Sequence, residues 1–328
     1  MKYLQMENKI NYKKKQNQFI FSFSKNLIIS LLACNYLFPN PLFSKECISG
    51  DCENGHGTML YDDQSKYEGN FQNGKRSGIG YLTFPNQIKY LGQFQNDQMH
   101  GIGTLFFNKK NKVYHGNFKF GKQDGYGVMT YNDKGKEYSG FWKEGYRHGR
   151  GIMIYNPNTK YEGSWVNGKR HGKGTYESGS KNIKYSGEWK DDKFEGQGFL
   201  ESLQNSETFK YKGEFARGEI HGVGTLQKEN LTYRGQFQRN RFEGTGTLIS
   251  SLGQRYTGQF KNNLFHGRGI LISQDGSFFI GEFKAGERDG KGYVFNRESK
   301  LLYSGKWARG KKLESHAIDS ESPSDDSF

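Results

Sequence analysis

The amino-acid sequence predicts an all-β fold, an elongated single-sheet solenoid of stacked antiparallel β-hairpins, and three observations carry that prediction. The first is a period. A unit Tyr-x-Gly-x-Phe/Trp, a turn, then x-Gly-x-Gly begins in full at Tyr67, Tyr90, Tyr114, Tyr138, Tyr161, Tyr185, Tyr211, Tyr233, Tyr256 and Phe279, at intervals of 22 to 26 residues. A half copy, Gly55–Tyr61, precedes the series and another, Tyr303–Trp307, closes it. Self-similarity at such an interval marks a repeat array. The second observation is alternation. In Tyr161-Glu162-Gly163-Ser164-Trp165 the rings and the glycine share one face of a strand and the polar residues the other. The third is the turn. One position between the two strands is Gly, Asn or Asp in every copy, from Gly74 and Asp97 to Gly310, and these residue types accept the positive φ of tight hairpins.

Along the chain, residues 1–44 stand apart from the repeats. Lys13, Lys14, Lys15 and Lys25 precede the apolar run Leu27–Ala33, and Phe38–Ser44 follows with two prolines. A basic start, a short apolar stretch and a broken end read as an export signal, too short for a comfortable membrane span. Two processing readings stand side by side. Leu31-Leu32-Ala33-Cys34 has the form of a lipobox, with Cys34 lipidated, and cleavage after Ser44 is the alternative. The expected location is the periplasm or cell envelope, with a lipid anchor in the first reading.

Residues 45–53 are expected to cap the array. Cys47 and Cys52 enclose a short loop containing Gly50-Asp51, and an oxidising compartment would close it as a disulfide protecting the first edge strand. A metal reading of this pair would have only His56 to add.

Residues 54–312 form the solenoid, ten full repeats with a half repeat at each end. In each unit the ring residues and glycine of the first strand are structural, as in Tyr67, Gly69 and Phe71, in Tyr138, Gly140 and Trp142, and in Tyr161, Gly163 and Trp165. Gly172, Gly174 and Tyr176 place the second strand's bare positions and its apolar residue on one face, leaving gaps for rings to lie flat. With 45 Gly, 21 Tyr and 26 Phe against 33% hydrophobic residues, the buried material is a thin aromatic layer. Single hairpins are marginal, so each depends on its neighbours. Strand spacing gives a length on the order of 100 Å. Residues 313–328 hold five acidic residues and no Lys or Arg, and read as an acidic disordered tail.

The unit resembles the MORN repeat, of the exported bacterial type, whose pattern Tyr-x-Gly-x-Phe/Trp-x-x-Gly-x-x-His-Gly-x-Gly is met in full by Tyr138–Gly151, Tyr161–Gly174 and Tyr211–Gly224. The aromatic that this family tends to carry four residues past the second Gly is kept early, at Tyr61, Phe84, Phe107, Tyr131 and Tyr155. It then gives way to Ser178, Ser202, Lys228, Ser250, Ser273 and Asn296. The resemblance implies scaffolding, dimerisation and contact with membrane lipid.

Little in the chain points to catalysis. The histidines of His-Gly-x-Gly (His100, His148, His171, His221, His266) would stand about 9–10 Å apart in neighbouring repeats, too far to share a zinc. No nucleophile elbow, His-Glu-x-x-His helix or phosphate loop occurs. No enzyme, cofactor or metal site is expected. The formal charge of +14 divides into +5 for residues 1–44, +14 for 45–312 and −5 for 313–328. A basic line along the hairpin tips (Lys75, Arg76, Lys122, Arg147, Lys169, Arg170, Lys193, Arg217, Arg239, Arg241, Arg288 and Arg309) serves either solubility and edge protection or contact with anionic lipid head groups. The expected partners are another protein, a second copy, or anionic lipid. Nucleic acid is not expected.

Overall fold

The computed structural model describes residues 45–107, 112–131, 135–204 and 207–315. Among them 24 strands form one sheet, and each strand pairs antiparallel with the one that follows it in sequence. A 3-10 turn at Gly179–Lys181 is the one helical element among the described residues. The expected all-β architecture of stacked hairpins is therefore the observed one.

The hairpin turns have two residues, and both take positive φ. Asn73 and Gly74 sit at +51° and +66°, Asp191 and Asp192 at +48° and +68°. That is the type I′ geometry whose twist matches the strands it joins. Each turn also reaches back to the previous repeat. Asp97 N–H donates to the Arg76 carbonyl at 3.1 Å, Gly168 N–H to Arg147 at 2.9 Å and Asp192 N–H to Arg170 at 3.1 Å. Where the turn residue is Asp or Asn rather than Gly, its side chain adds a second link. Asp192 Oδ1 accepts from Arg170 N–H at 3.0 Å, and Asn263 Oδ1 from Phe242 N–H at 2.7 Å.

The rings form the buried layer. The first tyrosine of each repeat, Tyr67 through Tyr256, is at most 1% exposed. Its ring lies over the paired glycines of its own hairpin, as in Gly163↔Gly174, where an added Cβ at Gly174 would collide with the Tyr161 hydroxyl and ring carbons. Edge-to-face contacts then run unbroken along the repeats, Tyr138 touching Trp142 of its own repeat at 5.2 Å and Trp165 of the next at 5.5 Å. The gap foreseen at the glycines is thus filled by the hairpin's own tyrosine, with neighbours packed on its edges.

The first glycine of x-Gly-x-Gly departs from the expectation that it shares the regular strand face. Gly172 takes φ +60°, and the pairing shifts there, from Gly163↔Gly174 to Ser164↔His171. The second strand carries two extra residues against its own partner while pairing regularly with the next repeat, Gly172↔Trp189. This bulge bends every second strand. It also explains the choice of Tyr over Phe. The hydroxyl donates to the carbonyl three residues on, beside the register break, at 3.0 Å for Tyr161 to Ser164 and 2.9 Å for Tyr233 to Gln236.

The boundaries shift slightly from those expected. Lys45–Gly50 is the first strand of the sheet rather than a separate cap, paired with His56–Tyr61. Lys311–Ser315 is the last, so residues 313–315 belong to the sheet. The export-signal reading, Cys34, and the tail from residue 316 on lie outside the described residues.

Candidate interaction surface

Three surfaces result from this architecture: the tip edge, where the type I′ turns lie side by side; the ring face; and the opposite, outer face.

At the tips the twelve expected cations separate into two groups. Lys75, Lys122, Lys169, Lys193, Arg217, Arg239, Arg241 and Arg309 are exposed. Arg76, Arg147, Arg170 and Arg288 are not part of a solvent-facing line, which corrects the sequence expectation. Counting from the turn, the first residue of the second strand points outward and the next points inward, onto the ring layer. Arg170 is 8% exposed. Its guanidinium lies 4.2 Å from the Trp189 ring centroid while Nε and Nη2 donate to Asp192 Oδ1 and the Asp192 carbonyl at 2.9 and 3.0 Å. Arg147 repeats this on Trp165 at 4.2 Å, with Nη2 donating to the Gly168 carbonyl at 2.7 Å. Arg288 sits 4.6 Å from the Phe279 centroid and 4.9 Å from Trp307, and burial pushes its pKa below the ordinary arginine value. These are cation–π lids on the aromatic layer.

The same slot explains the loss of the family's late aromatic. In three of the later repeats it holds Phe194, Phe242 and Phe265, each stacked on its own tyrosine (Tyr185, Tyr233, Tyr256) at 3.8 Å, and in two others Ile220 and Arg288. In the early repeats the slot holds Arg, Met or Gln, and Tyr61, Phe84, Phe107, Tyr131 and Tyr155 pack on the core from the other end of the strand. One tyrosine receives its cover from either side, so the halves differ in surface and agree in packing.

The histidine slot flanks the turn. Where it holds an acid, the carboxylate accepts the N–H of the next repeat's first turn residue: Asp124 from Glu144 at 3.2 Å, Glu195 from Arg217 at 2.9 Å, Glu243 from Asn262 at 3.0 Å. Among the described residues no three of His, Cys, Asp and Glu gather as a metal-ligand set. Cys47 and Cys52 are joined as a disulfide with their Cα atoms 6.0 Å apart. Glu53 N–H and Asn54 N–H both donate to Asp51 Oδ1, at 2.8 and 3.0 Å, and hold that carboxyl below the usual carboxylate range.

Two further groups escaped the sequence reading. The polar residue before the second ring closes the bulge. Gln236 Oε1 accepts from Thr245 N–H at 2.9 Å and Glu214 Oε1 from Val223 N–H at 3.1 Å. The recurrence of Gln, Glu or Asn at that position was the available signal. The second group is apolar. Ile79, Leu91, Ile102, Tyr126 and Phe141 lie exposed on the outer face, between 49 and 65% accessible. At the tips Phe120 and Tyr146 are also exposed, at 66 and 60%. A depression beside them is lined by Lys119, Phe120, Lys122, Phe141, Lys143 and His148.

Comparison with protein families matches the MORN repeat ten times, at residues 67–88, 90–112, 114–136, 138–160, 161–183, 185–202, 211–231, 233–253, 256–278 and 279–293. A search of the curated proteins returned no match.

Proposed function

The chain belongs to the MORN-repeat family, and from that premise we propose that it is a non-catalytic scaffold, a protein-interaction module of the cell envelope. One observation carries the reading. Many of the polar side chains beside the turns and bulges are engaged in closing them, as Asp192 and Gln236 are, while apolar and cationic side chains remain exposed. Such a molecule acts through what it holds. The envelope location is supported by the basic and apolar start of the chain and by the disulfide Cys47–Cys52, a bond that persists in oxidising compartments. Fractionation combined with in-cell cross-linking tests the proposal. It expects a defined cross-linked species in the envelope fraction. A cytosolic chain that never cross-links would end it.

A second reading, peripheral binding to anionic lipid head groups, is favoured by one arrangement. Lys75, Lys122, Lys169 and Lys193 are exposed at the tips of the first, third, fifth and sixth repeats, together with Phe120 and Tyr146. Each cation near an anionic surface adds about 1 kcal/mol, and tip aromatics suit the head-group boundary. Reversing those four lysines to glutamate should abolish flotation with anionic vesicles and leave the fold intact. Retained flotation removes this reading. Arg76 and Arg170 are unsuitable for the test, because they brace the ring layer.

A further inference from the structure

Elsewhere in the array the arginine lids and the tryptophans find acceptors. Arg76 and Arg170 pair with Asp97 and Asp192, and Arg147 Nη2 reaches the Gly168 carbonyl. Trp142, Trp165 and Trp189 donate Nε1–H to the carbonyls of Gly127, Gly151 and Gly174 at 3.1 to 3.2 Å. The last unit breaks both rules. Arg288 Nε and Trp307 Nε1 are buried without a hydrogen-bond partner, and they belong to one cluster, the guanidinium carbon lying 4.9 Å from the Trp307 centroid. A second cation stands on the other side of that ring. Lys312 Nζ is 4.2 Å from the Tyr303 centroid and 5.9 Å from Trp307. Among the described residues no ion pair forms at Arg288 or at Lys312. A half-buried cation without a counter-charge and donors without acceptors are both costly. The cluster lacks a negatively charged acceptor.

The chain carries such acceptors directly after its last strand. Residues 279–315 have a formal net charge of +4, and residues 316–328 one of −4, from Asp319, Glu321, Asp325 and Asp326. The ladder fixes the distances to be spanned. Lys312 is opposite Trp307, and Ser315 is opposite Gly305, which is in turn opposite Gly292. Lys312 therefore lies about 10 Å back along its own strand from Ser315. Arg288, two strands across and four residues along, lies about 16 Å away. An extended chain spans about 3.3 Å per residue, so Asp319 reaches about 13 Å beyond Ser315 and Glu321 about 20 Å. Each acid has one of the two cations in range. A short tether also holds an acid at an effective concentration of about a millimolar or more, which favours it over the acid of another protein.

We infer that Arg288 and Lys312 form a carboxylate-binding site at the end of the array, and that the chain's own acidic tail fills it, Asp319 on Lys312 and Glu321 on Arg288. The inference goes beyond the scaffold reading and does not rest on it. The test uses the full chain with nitrogen-15 in its tryptophan indoles, the Trp307 resonance being the one lost in W307F. D319N/E321Q should move that resonance and leave those of Trp142, Trp165 and Trp189 in place. It should also speed hydrogen exchange in Leu301–Ala308 several-fold. K312E, at an exposed lysine, should act in the same way, and K312E/D319K should return both signals close to the native values. Circular dichroism checks that the sheet persists in each variant. A Trp307 resonance and an exchange rate indifferent to D319N/E321Q overturn the inference. So does a K312E/D319K chain no closer to native than K312E alone. A response that changes with protein concentration assigns the carboxylate to another copy and overturns it as well.

Discussion

Raising the pH should unravel the sheet abruptly, because its layer is built on tyrosines that cannot ionise in place. Nine of them, Tyr67 through Tyr256, are at most 1% exposed, and each hydroxyl donates to a backbone carbonyl at 2.8 to 3.0 Å. Burial raises the Tyr67 hydroxyl to about 12 and the other eight higher still. In the unfolded chain they titrate near 10. The folded state therefore holds protons that the unfolded state releases. Its stability is complete below about pH 10 and falls as pH climbs toward the folded value. Each tyrosine contributes a slope of about 1.4 kcal/mol per pH unit, and nine together approach about 12 kcal/mol per unit. A domain's whole stability is about 5–15 kcal/mol, so the sheet should be lost within about one to two units above pH 10. Far-ultraviolet circular dichroism and tyrosinate absorbance, followed together, should change in one coincident step. Tyrosinate appearing while the sheet signal persists would mean that the hydroxyls reach water, and would refute the account of the layer.

Three other perturbations follow from the same packing. Gly174→Ala drives a Cβ into the Tyr161 hydroxyl and ring carbons and should cost about 1–3 kcal/mol, read as a lowered denaturation midpoint, whereas Gly121→Ala, which meets no atom but sits at φ +79°, should cost about 1–2 kcal/mol through backbone strain alone. Arg170→Ala removes both bonds to Asp192 and the lid on Trp189 and should destabilise by about 2 kcal/mol; the exposed Arg217→Ala should stay within about 0.5 kcal/mol, and equal effects would contradict the division of the tip cations. Gln236→Leu leaves the Thr245 N–H without its acceptor and should cost about 1 kcal/mol, with faster hydrogen exchange confined to that bulge.

The period, the hairpins and the turn positions were legible in the sequence because each has a steric demand that few residues meet, as Gly74 and Asp97 show. The disposition of the tip cations was legible in principle by parity. Arg76 is opposite Phe71 in the ladder and so shares its face, yet adjacency to Lys75 made the pair read as one charged cluster. The bulge was not legible. A two-residue slip leaves the spacing of Gly172 and Gly174 looking like an ordinary strand, and only φ separates them. The exchange of cover between Tyr155 and Phe194 was hidden for another reason, since it links positions at opposite ends of a strand that no local pattern connects. The outer patch at Ile102 and Tyr126 was passed over because alternation assigns that face to polar residues by default.

The backward reach of each turn has a temporal side. Arg170 N–H obtains its acceptor only when Asp192 arrives, 22 residues later, and Phe242 waits in the same way for Asn263. The N–H after the turn of a hairpin leaving a ribosome or a translocation pore is thus satisfied only by its successor, whereas its own turn N–H is satisfied by its predecessor. Order travels along the thread one unit behind its emergence, and a chain cut short from its C-terminal end keeps that donor open at its last hairpin, where one cut from the front opens a turn N–H at its first.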